Sequence, residues 1–139
     1  QILLQSIYYP LALYAQSREG TALPVVVRGS GYESKNYGFV HNIDASAILG
    51  EGVLHIFLIN RSSTEPATVE INPAGIGLSS VQSAELVTGP SATSCNSFDH
   101  PETIHGQKLS NIKITDRIAT IGLPPLCAAA ISFSLDDKE

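Results

Sequence analysis

Residues 128–135 have the sequence Ala-Ala-Ala-Ile-Ser-Phe-Ser-Leu, in which apolar and polar side chains come to alternate. Ile131, Phe133 and Leu135 are separated by Ser132 and Ser134. Because successive side chains of a β-strand point to opposite faces, this alternation is typical of a strand with one buried and one solvated face. The segment therefore predicts a β-sheet that covers a core with one face.

Seven further segments have strand-like patterns. Val53–Ile59 is almost entirely apolar, so we expect it to lie centrally with both faces covered. Turns containing Gly or Pro separate many of these segments. Eight short strands of this kind predict an all-β fold, an antiparallel two-sheet β-sandwich of jelly-roll or Greek-key type. The predicted strands are Ala22–Arg28, Gly38–Ile48, Val53–Asn60, Ala67–Ile71, Val81–Thr88, Ile112–Thr115, Arg117–Ile121 and Ala128–Leu135.

The first 17 residues follow a helical period instead, which predicts a short N-terminal helical segment before the sandwich. Proline inside a helix removes one hydrogen bond and clashes with the preceding turn. Pro10 therefore predicts a kink or a boundary near Tyr9, and Gly20 predicts the end of the segment. The apolar residues of the helical face are Leu3, Leu4, Ile7, Tyr8, Leu11, Tyr14 and Ala15.

The chain has no methionine and begins with Gln1, inside the apolar helical pattern. No Ser, Thr, Asp or Asn precedes that pattern as an N-cap. We therefore expect these 139 residues to be the carboxy-terminal piece of something larger. The chemistry of the parent protein is then to be sought in its other part.

The composition is that of one globular domain, with 43% apolar and 15% charged residues. The net charge is −5 and the basic residues are scattered singly, so we expect no nucleic-acid partner. No apolar run approaches the roughly 18 residues that a membrane-spanning helix needs, so we expect no membrane partner. The start of the chain does not indicate a compartment.

The two cysteines lie in dissimilar surroundings. Cys95 is in a polar segment and Cys127 is in an apolar, strand-like run. Two buried free thiols are the favoured interpretation, because a domain of this size needs no disulfide. A disulfide between them and a reactive thiol are the alternatives.

No group of residues has a convincing catalytic spacing. Hydrolysis of a glycoside needs two carboxylates roughly 5–10 Å apart, but the acidic residues lie mostly in polar turns or at the end of the chain. Asp44, in a predicted strand, is interpreted as half-buried and structural. Asp99, His100 and His105 match no zinc signature. We therefore predict no catalytic, metal-binding or cofactor-binding residue and no cofactor, and the substrate-binding residues stay unknown. The alternative is an enzyme that uses Asp44, Asp99 and His100.

Two other features are candidates for recognition. Tyr32 and Tyr37 flank one loop and form a possible small aromatic platform for sugars, although packing or interface roles are favoured. The connection from about Ser91 to Ser110 has no periodicity, and structureless loops of that length usually serve function or an interface.

Several segments follow one another in the order of a known family. They are Ile7-Tyr8-Tyr9-Pro10-Leu11, Gly20-Thr21-Ala22-Leu23, Ile43-Asp44-Ala45-Ser46-Ala47, Leu54–Arg61, Leu86–Pro90, Asn96-Ser97-Phe98-Asp99-His100-Pro101 and Leu123–Leu126. Together they resemble the end of the family 51 glycoside hydrolases, the α-L-arabinofuranosidases. The segment at 96–101 resembles that family's Asn-Thr/Ser-Phe-acid-x-Pro loop.

The resemblance implies a retaining enzyme with a (β/α)₈ barrel, which carries both catalytic glutamates, followed by a β-sandwich. Residues 1–19 would be the remnant of the last barrel helix and a linker, and residues 20–139 the C-terminal sandwich domain. The parent would hydrolyse terminal α-L-arabinofuranosyl residues of arabinan or arabinoxylan. Family sandwiches occur in secreted and in intracellular enzymes, so the resemblance implies a soluble protein of either compartment.

The resemblance further implies that this domain is non-catalytic alone, packs against the barrel and helps assemble homo-oligomers. We hypothesise that an apolar seam is shared between helix and sheet, with a barrel-facing side that is exposed in the isolated chain. An independent carbohydrate-binding module that uses Tyr32 and Tyr37 is the alternative function. The proposed seam consists of Leu4, Ile7, Tyr8 and Leu11.

Overall fold

The computed structural model describes residues 1–17 and 19–136. Within these residues it contains one α-helix and eleven β-strands. The helix is α1 (Tyr8–Ala15). The strands are β1 (Thr21–Leu23), β2 (Gly31–Ser34), β3 (Gly38–His41), β4 (Ile43–Leu49), β5 (Val53–Asn60), β6 (Ala67–Ile71), β7 (Leu78–Thr88), β8 (His105–Lys108), β9 (Ile112–Thr115), β10 (Ile118–Leu123) and β11 (Cys127–Leu135).

The strands form two packed antiparallel sheets and one separate hairpin. The larger sheet has six strands in the order β1-β4-β5-β11-β7-β8, and the smaller has three in the order β6-β10-β9. The hairpin pairs β2 with β3. All pairings are antiparallel, so the predicted all-β sandwich with an N-terminal helix is confirmed.

The core lies between the two sheets. Ile131 and Phe133 of β11 are 1% and 0% exposed, and Ile121 of β10 faces them from the smaller sheet at 0%. Each fully buried apolar side chain of this size stabilises the fold by about 1.5–3 kcal/mol. The alternation in residues 131–135 therefore reports the core-facing side of β11, but the predicted solvated face is wrong for Ser132, which is 9% exposed and has its Oγ 2.7 Å from His55 Nδ1.

Strand β5 lies between β4 and β11, as its apolar sequence predicts. Leu54 and Leu58 face the core at 1% and 0% exposure, while Phe57 on the opposite face is 5% exposed. The ring of Phe57 lies beneath Tyr14 of α1, with 4.6 Å between the ring centroids. Sheet and helix thus cover the two faces of this strand.

Two of the predicted strands differ markedly in extent from the structure, and the three that correspond to β7, β10 and β11 differ by one to three residues at their ends. The predicted strand Ala22–Arg28 is wrong beyond Leu23, because Pro24 has no N–H to continue the ladder. The predicted strand Gly38–Ile48 divides at Asn42 into β3 and β4. There the backbone bends between hairpin and sheet: the Asn42 N–H donates to the Ser30 carbonyl at 3.0 Å, and the Asn42 carbonyl accepts from Arg61 N at 2.8 Å.

The connection between β7 and β8 is shorter than the predicted aperiodic segment of residues 91–110. His105–Lys108 form β8, an edge strand that pairs with β7. All four of its residues are exposed, so no apolar alternation marks it in the sequence. The strand is held by its backbone hydrogen bonds to β7.

Helix α1 begins only at Tyr8, with Pro10 in its first turn, so the helical pattern predicted from residue 1 is wrong for residues 1–7. Proline is tolerated there because the first N–H groups of a helix have no intrahelical partner. Leu13 is 5% exposed and packs against Val87 and Ile104 on the outer face of the larger sheet. Within the described residues, no helix is long and apolar enough to cross a membrane.

The turn between β9 and β10 of the smaller sheet contacts the larger sheet. Asp116 and Arg117 connect β9 to β10 with positive φ values of 52° and 67°. The Arg117 carbonyl accepts a hydrogen bond from Leu78 N at 3.2 Å, and its Nε lies 2.8 Å from Oδ2 of Asp136. A Cβ added at Gly77 would overlap the Arg117 guanidinium. This turn therefore ties the smaller sheet to the first residues of β7 and the residue after β11.

Candidate functional site

One side of the N-terminal region presents large apolar side chains to solvent. Ile7 and Leu11 are 65% and 62% exposed, and their spacing of four residues places them on the same side of α1. Leu13 and Tyr14 hold the helix on the sheet from its other side. We call this exposed group the N-terminal face; it consists of Ile2, Leu4, Ile7, Tyr8 and Leu11.

The hypothesis of an apolar seam between helix and sheet is half correct. Its four residues are exposed, as expected for a side that awaits a partner. None of the four belongs to the buried cluster between helix and sheet, so this part of the hypothesis is wrong. The residues that pack against Val87, Ile104 and Ala130 are Leu13, Tyr9 and Tyr14.

The connection between β7 and β8 holds the segment before α1 in place. Asn96 is 4% exposed, and its Nδ2 donates to the carbonyls of Leu4 (2.9 Å) and Ile104 (2.8 Å). Its Oδ1 accepts from Ile104 N at 2.6 Å. This one amide therefore fixes the start of the chain against the loop and against the strand that follows it.

Two surface grooves have the size of small-ligand sites, but their chemistry is mainly apolar. One of about 510 Å³ lies between the start of α1 and the outer face of the larger sheet, next to Ile7, Pro10 and Cys127. The other, of about 430 Å³, lies near Leu109 and Asn111 at the edge of the two sheets. Among the described residues, no Asp, Glu or His lines either groove. Neither has the carboxylate pair that glycoside hydrolysis uses.

Asp44 has a structural partner, but its interpretation as half-buried is wrong, because its side chain is exposed. Its Oδ2 lies 2.9 Å from Nη2 of Arg61, and its Oδ1 accepts from Ala45 N at 3.0 Å. Nη1 of Arg61 also donates to the His41 carbonyl at 2.7 Å. The Asp44–Arg61 pair thus joins the base of the β2-β3 hairpin to the larger sheet.

The structure places Asp99 and His100 in an exposed turn of the connection between β7 and β8. The backbone N–H of Ser97 donates to the His100 carbonyl (3.1 Å), and His100 N donates in return to the Ser97 carbonyl (3.2 Å). His105 lies at the start of β8, with Nδ1 2.9 Å from the Glu102 carbonyl. Within residues 1–17 and 19–136, no group of three or more His, Cys, Asp or Glu side chains is placed to hold a metal ion.

The aromatic pair Tyr32 and Tyr37 belongs to the separate hairpin. Tyr32 in β2 is 50% exposed, and Tyr37 in the turn is 83% exposed. Phe39 of β3, which the sequence reasoning did not single out, is 52% exposed and packs edge-on against His41 with ring centroids 5.0 Å apart. The hairpin is an arm with aromatic side chains, anchored at its base through Arg61.

Both cysteines are free thiols, and Cys127 is buried. The prediction that both are buried is wrong for Cys95, which lies exposed in a loop that buries Asn96 and Ile104 instead. Burial raises the pKa of the Cys127 thiol above its usual value, and a hydrogen bond with the Asn60 backbone acts weakly in the opposite direction. A raised pKa disfavours the reactive thiolate at this position.

Sequence reasoning did not identify the roles of Leu13 and Asn96. Leu13 falls outside the helical face that the apolar spacing selects, because α1 is apolar on several sides. Asn96 carries no pattern that distinguishes a buried amide from an exposed loop residue. The family-like segment at 96–101 was the one signal at that position.

The chain matches the family model for the alpha-L-arabinofuranosidase C-terminal domain over residues 1–127. An exo-alpha-(1->6)-L-arabinofuranosidase of Bifidobacterium longum is 34% identical over 85 residues, which are 59% of this chain and 16% of that protein. An intracellular exo-alpha-L-arabinofuranosidase of Bacteroides ovatus is 25% identical over 127 residues, 89% of this chain and 24% of that protein. The chain thus spans a quarter or less of these curated relatives.

Solved structures share the fold. The family 51 α-L-arabinofuranosidase AbfB of Bifidobacterium longum superposes with a TM-score of 0.84 and 25% identity, over 94% of this chain and 26% of its own. The GH51 arabinofuranosidase of Xanthomonas axonopodis pv. citri superposes with a TM-score of 0.84 and 21% identity, over 95% of this chain and 27% of its own. Since the family model spans most of its residues, the chain belongs to the alpha-L-arabinofuranosidase C-terminal domain family.

Proposed function

We propose that this chain acts as the non-catalytic C-terminal domain of a larger α-L-arabinofuranosidase. In that enzyme the domain packs against a catalytic barrel, which carries two glutamates and removes terminal α-L-arabinofuranosyl residues from arabinan or arabinoxylan with retention of configuration. Residues 1–19 are the end of the last barrel helix and a linker in this proposal. The single observation that carries it is the N-terminal face, an exposed apolar surface on α1 and the segment before it, both already fixed to the sandwich.

The energetics of the N-terminal face favour a protein partner. Four of its side chains are aliphatic, including Ile2 at 89% exposure, and one is phenolic. The face therefore offers a sugar few hydrogen-bonding groups and no set of stacked rings. Covering Ile7 and Leu11, which are 65% and 62% exposed, would stabilise an assembly by about 1–2 kcal/mol each, before the cost of association. The family membership and the greater length of the relatives support a barrel as that partner.

The docking proposal is tested in the full-length enzyme that contains this chain. The double substitution Ile7→Gln/Leu11→Gln keeps good helix formers but removes the apolar face. We expect the thermal unfolding midpoint of the full-length enzyme to fall, while the isolated chain unfolds as before because both side chains are exposed in it. Val81→Thr is the control, since Val81 is 39% exposed on β7 and lies outside the N-terminal face. Equal midpoints for the double variant and the unchanged enzyme would contradict the proposal.

The absence of catalysis is tested on the isolated chain with an aryl α-L-arabinofuranoside. We expect no release of the aryl group, because the grooves lack a carboxylate pair and Asp44 is engaged by Arg61. Turnover that disappears in Asp99→Asn would instead favour the alternative in which Asp44, Asp99 and His100 catalyse. Light scattering of the same sample tests the expected self-association through the exposed face.

The exposure of Tyr32 and Tyr37 keeps a second function open to test, that of a carbohydrate-binding module. Stacking of a sugar on either ring predicts retardation of the isolated chain in a gel that contains arabinan or arabinoxylan. The retardation would be lost in Tyr32→Ala or Tyr37→Ala. Unaltered migration of the unsubstituted chain at high polysaccharide content would remove this alternative.

A further inference from the structure

The connection between β7 and β8 carries an exposed ring that the docking of α1 does not explain. Phe98 is 59% exposed, whereas Phe57 and Phe133 are 5% and 0% exposed. The phenylalanine ring has no polar atom with which to compensate its contact with water. An exposed Phe therefore gains from any partner that covers it.

The turn beneath Phe98 is closed by its own hydrogen bonds. Ser97 and His100 exchange two backbone bonds of 3.1 and 3.2 Å, and Ser97 Oγ accepts a further bond from His100 N at 3.1 Å. Thr103 Oγ1 donates to the His100 carbonyl at 3.3 Å. Because this backbone is already ordered, the loop would lose little conformational entropy when a partner binds the ring.

The turn that carries Phe98 is connected to the N-terminal segment through Asn96. The Asn96 side chain, two residues before Phe98, donates to the carbonyl of Leu4, which belongs to the N-terminal face. Asn96 is also buried against Ile104, which packs on Leu13 of α1. Turn, N-terminal segment and helix are therefore one connected unit.

The surroundings of Phe98 indicate the chemistry of the complementary surface. Asp99 follows Phe98 directly and Glu102 lies four residues further along the chain; both are exposed, and residues 91–107 contain no Lys or Arg. An aromatic side chain in an acidic segment complements an apolar pocket with basic residues at its rim. A neutral polysaccharide offers neither the pocket nor the positive charge.

We propose that Phe98 is an anchor residue that inserts into an apolar, basic-rimmed pocket of the same barrel domain that covers the N-terminal face. The inference rests on the proposed function, because it takes the barrel as the partner. It adds a second contact, from the β7–β8 connection, to the contact made by α1. The orientation of the two domains would then be fixed at two points instead of one.

Hydroxyl-radical footprinting read by mass spectrometry tests this anchor without any substitution. The isolated chain and the full-length enzyme are oxidised in parallel, and Phe133 and Phe39 in the isolated chain define a buried and a half-exposed ring. We expect the oxidation rate of Phe98 to fall in the full-length enzyme to the level of Phe133, together with the rates of Ile7 and Leu11.

The two proposals fail in distinguishable ways in this experiment. Protection of Ile7 and Leu11 with an unchanged rate at Phe98 would overturn the anchor and keep the docking of α1. Unchanged rates at all three side chains would overturn the docking proposal and the anchor with it.

Discussion

Asn96 connects three parts of the molecule through a single side chain. Its amide bonds Leu4 before the helix and both backbone groups of Ile104 before β8. A buried polar group left without its partner costs about 1–3 kcal/mol, more than a hydrogen bond contributes on average. The position of the N-terminal face on the sandwich therefore depends strongly on this one residue.

Asn96→Ala is expected to lower the free energy of unfolding of the isolated chain by about 2–3 kcal/mol, because it leaves Ile104 N and two carbonyls without their partner. Urea unfolding followed by circular dichroism measures the change. Asn72→Ala, at an exposed asparagine, is the control and should stay within about 0.5 kcal/mol of the unchanged chain. Equal losses for the two variants would show that the amide does not hold the loop.

Tyr14 is expected to make stability depend on alkaline pH. Burial raises the pKa of its phenol above the usual 10.0, and the Asp44 carboxylate raises it further. The unfolded chain then releases this proton first, so the stabilisation is complete below about pH 10 and is lost as the pH rises through the folded-state pKa. Tyr14→Phe keeps the ring on Phe57 and should flatten the decline of unfolding free energy above that pH. Parallel declines in both proteins would contradict this assignment.

Helix α1 is stable only because it is docked. Eight residues are too few for a helix to persist alone in water, and no side-chain N-cap supports this one. Leu13 and Tyr14 supply the contacts with the sheet, while Leu11 faces away from it. One helix therefore presents two apolar sides, one used within the domain and one left free.

Substitutions of Leu11 and Leu13 can distinguish the free side of α1 from the side that packs on the sheet. Leu13→Ala removes a side chain that is 5% exposed and should cost the isolated chain about 2–5 kcal/mol. Leu11→Ala removes one that is 62% exposed and should change its stability by less than about 0.5 kcal/mol. Thermal or urea unfolding of both variants measures the contrast, and a large loss at Leu11 would mean that this side is also covered within the domain.

The sequence predicts best those elements whose alternation records burial. Ile131, Phe133 and Leu135 alternate because β11 lies over the core, and Val53–Ile59 is apolar because helix and sheet cover it. Strand β8 has no buried side chain, so only its pairing with β7 defines it. On α1 the helical period finds apolar residues on several sides but does not say which side meets the sheet. The exposed side of the candidate site was therefore predicted, while Leu13 and Asn96 were not.

At the scale of the whole molecule, two sheets share one core while the proposed recognition surfaces lie outside it. The core cluster joins β5, β7 and β11 of the larger sheet to β10 of the smaller. The N-terminal face, the Phe98 turn and the aromatic hairpin are carried on a helix, a loop and an arm attached to this sandwich. Changes in these surfaces can thus alter partners without disturbing the core.

The turn that ties the two sheets together has a thermodynamic consequence for Gly77. A methyl group at this position would occupy the space of the Arg117 guanidinium and push it off Asp136, so Gly77→Ala and Arg117→Ala should remove the same interaction. In a double-mutant cycle their costs are then expected to be non-additive, with a coupling of up to about 1 kcal/mol for an ion pair this exposed. Strict additivity would mean that the arginine and the glycine contribute independently. A measured coupling would mean that Gly77, which has no side chain, determines the rotamer of Arg117. Through the ion pair of Arg117 with Asp136, Gly77 would then also influence the spacing of the two sheets at this turn.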